Sequence, residues 1–60
     1  MNANTEMEIA FTTANWAQTV IDSPHTKAED RAKLIEIRDT LRNGMATPDQ
    51  WNWIQEKFFT

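Results

Sequence analysis

Cysteine and tyrosine are absent from this 60-residue chain, glycine and histidine occur once each, and proline occurs twice. Without cysteine no disulfide can form. One imidazole with carboxylates is also a poor donor set for zinc, which favours thiolate and imidazole. With a single glycine there is no Gly-rich phosphate loop, and neither an EF-hand loop nor a pair of histidines at helical spacing occurs. A catalytic centre needs a nucleophile, base or metal in a shaped pocket with an orienting shell, and little here can supply one. The chain is therefore expected to be no enzyme and to hold no metal or cofactor. Asp22-Ser23-Pro24-His25 does line up an acid, a hydroxyl and an imidazole, but sequence neighbours rarely converge as a triad, and the segment reads as a turn with His25 exposed.

Long apolar runs are also missing. None approaches the roughly 20 residues needed to span a bilayer, and Met1 to Glu8 has neither the positive start nor the apolar stretch of a secretory signal. These features predict a cytoplasmic protein with no membrane partner. Nine acidic residues against six basic ones give a net charge of −3, which weighs against an electrostatic footprint on nucleic acid.

What the chain does have is aromatic surface: three Trp and three Phe. A chain this short buries only about 60% of its unfolded surface, and small domains usually offset that with disulfides, a metal or a partner subunit. With the first two excluded, assembly is the remaining device. Aromatics are enriched at the cores of interfaces, so a homo-oligomer is expected, with a dimer favoured.

Local signals divide the chain into a flexible N-terminal arm (1–9) and one small helical domain (10–60). The first helix, about 13–22, is capped by Thr12 or Thr13 and carries Thr13, Trp16, Ala17 and Val20 on one side. Pro24 ends it. Thr26-Lys27-Ala28-Glu29 spells a capping box for the second helix, about 27–43, which Gly44 stops in the left-handed conformation. Thr47-Pro48-Asp49-Gln50 spells another box, with Pro at the first helical position, opening a third helix over about 48–58. The short connection between the second and third helices predicts an all-α fold of three short helices built on an antiparallel hairpin of those two.

On the second helix, Leu34, Ile37 and Leu41 form one apolar stripe, and Ala28, Ala32 and Ile35 a second that asks for another partner. Between them runs a basic strip, Lys27, Arg31, Arg38 and Arg42. It is expected to lay its aliphatic stems along the core edge and to meet acids of the third helix or of another copy. The competing use is an anionic partner, since the guanidinium fork suits phosphate and carboxylate. On the third helix Trp51, Ile54 and Phe58 are expected to pack on Leu34, Ile37 and Leu41. Trp53 faces away from Trp51, so Trp53 and Phe59, with Trp16 and Ile35, become the candidate partner or oligomer interface.

These readings predict a small helical protein-interaction module, self-associating, that regulates, inhibits or adapts a larger protein. In scale and composition alone it resembles the small acidic proteins that bacteriophages and mobile elements use to modulate host machinery; no motif carries that likeness. The alternative is a helix-turn-helix DNA-binding protein using the second and third helices. Its recognition helix would offer Gln50, Asn52 and Gln55, with Lys57 as its one cation beside Asp49 and Glu56. An acidic DNA mimic ranks below both, because the acids are dispersed over several elements.

Overall fold

A computed structural model describes residues 3–59, folded as three α-helices: α1 (Ala3–Asp22), α2 (Ala28–Leu41) and α3 (Pro48–Phe58). The all-α architecture agrees with the sequence pattern, but α1 begins at Ala3 rather than near residue 13. Residues 3–9 of the expected arm are thus helical, and its first two residues, Met1 and Asn2, lie outside the described residues. Two effects extend the helix. Glu6 stands in the first turn, where an acid complements the helix dipole. The buried period also begins earlier than the bulky residues suggest: Ala10, Ala14, Ala17 and Ile21 recur at i, i+4, i+7 and i+11, and all are buried. The expected stripe lies to one side of this one and shares only Ala17, with Thr13, Trp16 and Val20 half-buried.

Small side chains let two helix backbones approach closely. The tight hairpin is accordingly α1 with α2, not α2 with α3, which stands off behind its large side chains. Cross-contacts fix the antiparallel sense: Arg31 reaches Ile21, Arg38 and Arg42 reach Gln18, and Met7 lies against Gly44. Leu34, Ile37 and Leu41 of α2 fill the seam, and Ile54 of α3 closes it from the open side; these four are the largest fully buried side chains. Trp51, Trp53 and Phe58 pack against the core while staying half-exposed. Ala28, Ala32 and Ile35, the second stripe expected to find a partner, are exposed.

The turns follow their chemistry with one exception. α1 stops at Asp22 before Pro24, and Gly44 has φ 92°, the region that glycine enters most easily. Thr47 accepts from the Gln50 amide while the Gln50 side chain accepts from the Thr47 amide, completing the predicted box. The box at Thr26 does not form. Lys27 is the N-cap of α2 and makes no side-chain capping bond, while the Thr26 hydroxyl donates 2.6 Å to the Val20 carbonyl. The exchange is sensible because α1 ends without glycine and without a basic residue in its last turn, so its terminal carbonyls need donors from elsewhere.

Overfilling the alanine seam tests this packing. Ala14→Leu should lower stability by about 1–3 kcal/mol, whereas Ala32→Leu on the exposed side of α2 should stay within about 0.5 kcal/mol, both read by thermal unfolding. At the turn, Gly44→Ala should cost about 1–2 kcal/mol through its positive φ; a change under about 0.3 kcal/mol in the same assay would show that the turn relaxes freely.

Candidate interaction surface

The basic strip finds its partners on α1 rather than among the acids of α3. Arg31 donates from Nε to the Ile21 carbonyl and from Nη2 to the Ser23 carbonyl, each at 2.9 Å. Together with Thr26 it closes the C-terminus of α1, where orphan carbonyls and the negative end of the helix dipole favour a cation. Arg38 donates 2.7 Å to the Gln18 side-chain oxygen and pairs with Asp39 at 2.9 Å. Gln18 passes the polarity on by donating 3.0 Å to Asp22, and Arg42 makes a long 3.5 Å contact with the same Gln18 oxygen. Lys27 is exposed. The strip is therefore a polar edge seam of the α1–α2 hairpin. The ion pair that does join α3 to α2 uses other residues, Lys57 and Asp30, at 3.4 Å.

The aromatics form an intrachain ladder along the α1–α3 side. Phe59 and Phe58 both lie 5.2 Å from Trp16, centroid to centroid, and Phe58 lies 5.8 Å from Trp53. Edge and tilted geometries at such distances are favourable. On the far side of Trp53, the Lys33 ammonium sits 5.8 Å from the ring centroid. Of the four candidate interface residues, Trp16, Trp53 and Phe59 are thus members of this ladder, the two tryptophans half-buried and Phe59 exposed. Ile35 is exposed on α2 and makes no ring contact with them.

A different apolar surface emerges where α3 stands off from α1. A groove between them contains two depressions. One, of about 330 Å³, is lined by Glu6, Ile9, Ala10, Met45, Ala46 and Trp51 with Gly44 at its edge. The other, of about 200 Å³, is lined by Thr12, Thr13, Trp16, Trp51, Ile54 and Phe59 together with Gln55. Trp51 belongs to both and divides the groove. Its rim carries the most exposed large apolar residues of the described chain: Ile9 at 53%, Phe59 at 63% and Met45 at 69%. Ile9 and Met45 did not stand out in the sequence because one lay in the presumed arm and the other in a loop. The signal available was Ile9, Thr12, Thr13 and Trp16 at i, i+3, i+4 and i+7, readable only once the helix is known to begin before residue 9.

Neither depression is lined by more than one ionisable side chain; a third, shallower one on the α2–α3 side is lined by Glu29, Asp30, Lys33, Trp53 and Lys57. In the turn, the Ser23 hydroxyl accepts the His25 amide and Asp22 accepts from Gln18, both local structural uses. Among the described residues no group of three or more His, Asp and Glu side chains is placed to hold a metal ion, and no helix is long and apolar enough to cross a membrane. No protein-family model, curated protein or solved structure matches the chain.

If the seam is structural, its members should differ sharply in stability. Arg31→Met should cost about 1–2 kcal/mol by leaving the carbonyls of Ile21 in α1 and Ser23 just beyond it without their charged donor, while Arg42→Met should stay within about 0.5 kcal/mol. Equal effects of the two changes in urea unfolding would contradict the assignment.

Proposed function

We propose that this chain is a non-enzymatic helical protein-interaction module that regulates, inhibits or adapts a larger protein, and that it docks through the α1–α3 groove. The observation that carries the reading is the exposed apolar rim of Ile9, Met45 and Phe59 over a groove whose floor is Trp51 and Ile54. Contiguous exposed apolar surface bounded by polar residues is characteristic of protein-binding sites. The DNA-binding alternative is weakened because Arg31 and Arg38 are occupied by α1, and the outer positions of α3 include Asp49, Asn52 and Glu56. Self-association would draw on the same groove. It is opposed by charge, since α1 carries Glu6, Glu8 and Asp22 and no basic residue, so two copies meeting along α1 face like charges.

A photo-crosslinking side chain placed at Ile9 or Phe59, with exposed Glu36 of α2 as the control position, tests the reading in the cell that makes the protein. The expected result is one discrete adduct heavier than twice 7.0 kDa from the groove positions and none from the control. An adduct of two chains would establish self-association instead, and a smear or blank at all three positions would remove the docking surface.

A further inference from the structure

Resting on the reading of the groove as a docking surface, we infer that its occupant is a cationic amphipathic helix supplied by another protein. The shape of the groove argues for a helix. α1 runs the length of one wall, facing the Gly44–Ala46 connection and Trp51 at one depression and Trp51, Ile54, Gln55 and Phe59 at the other, and the α1 residues lining the two depressions are centred about five positions apart, about 8 Å at 1.5 Å per residue. That interval lies between the i,i+4 and i,i+7 separations of anchors on a helix laid along the groove, about 6 and 10.5 Å. Each depression exceeds the roughly 150 Å³ that accommodates a benzene ring, so each has room for one aliphatic or aromatic anchor.

The sign of the occupant follows from the charges on the walls. α1 contributes Glu6 to the lining and Glu8 one turn from the same end, and it has no basic residue anywhere. Asp49, in the first turn of α3, lines neither depression. The one cation of α3, Lys57, turns to the other side to pair with Asp30 of α2. The cations of the chain therefore sit on or beside α2 or point towards it, and the groove is apolar with Glu6 in its lining, Glu8 nearby on α1 and no cation. An anionic or uncharged helix would gain only the apolar contact. A helix with Lys or Arg near its anchors also gains electrostatic complementarity, which chiefly raises the association rate and selects the partner. A second copy of this chain fits less well: α1 is acidic, and the exposed side of α2 mixes Lys33 with Glu29, Glu36 and Asp39.

The test uses two synthetic amphipathic peptides of about 18 residues with leucines at i, i+4, i+7 and i+11, one with lysine and one with glutamate at the flanking positions. Binding is followed by the indole resonances of the full chain. The lysine peptide should shift Trp16 and Trp51 more than Trp53 and bind at least tenfold more tightly than the glutamate peptide at low salt. That preference should shrink as salt rises to about 0.5 M. The Glu6→Lys/Glu8→Lys variant, changed only at exposed positions, should bind the lysine peptide on the order of tenfold more weakly. Equal binding of the two peptides, or a shift of Trp53 larger than those of Trp16 and Trp51, would overturn the inference. So would a chain that dimerises in sedimentation equilibrium and is not dissociated by the lysine peptide. A heavy adduct at Ile9 combined with no peptide preference would refute the cationic helix while leaving the docking surface standing.

Discussion

The close approach of α1 and α2 along Ala10, Ala14 and Ala17 is the constraint on which the rest of the molecule depends. Alanine on one side of the seam lets Leu34, Ile37 and Leu41 of the other side seat fully, so one pair of helices reaches native packing with few large side chains. The cost falls on α3. Its tryptophans are too large for an equally close approach, and it is held instead by Ile54, the aromatic ladder and a few polar bonds to α2, including that of Gln50 to Thr40 at 3.2 Å. A groove on the α1 side is the geometric remainder of that asymmetry.

The same seam decides what the charges do. α1 enters the hairpin without a glycine stop and without basic residues in its last turn, so α2 supplies the missing donors through Arg31, backed by Thr26. Arg38 then secures the middle of the pair through Gln18. Cations that looked like a binding strip on a helical wheel are mostly drawn into holding two helices together. The acids of α1 are left to set the potential at the mouth of the groove. Acids serve the fold as well, Asp39 pairing with Arg38 and Asp30 with Lys57.

Legibility from the sequence followed the strength of the local signal. Pro24, Gly44 and the Thr47–Gln50 box act within a few residues, and each marks its turn in the structure. The Leu34, Ile37, Leu41 face was equally readable, because large aliphatic residues dominate any periodic pattern. Alanines defeat such a pattern: they weigh little in a hydrophobic count while deciding which helices come together, so the hairpin was assigned to α2 and α3. Thr26 shows a second limit, since a capping-box motif fixes donors and acceptors but not which helix end needs the hydroxyl more. The groove was legible only in part. Trp16 and Phe59 were singled out, but Ile9, Met45 and the pairing of α1 with α3 required the correct start of α1.

With four large side chains fully buried, the reserve of stability is small, and natural domains hold only about 0.05–0.15 kcal/mol per residue. A ligand that binds the folded chain at 100 times its dissociation constant adds about 2.7 kcal/mol, comparable with a large share of that reserve. The groove lies between the hairpin and the helix least tightly joined to it, so an occupant touching both α1 and α3 clamps the weakest junction of the fold. Under the proposed docking, recognition and folding would become one equilibrium. The large apolar residues most exposed among the described residues, Ile9, Met45 and Phe59, are the ones that the proposed occupant would bury.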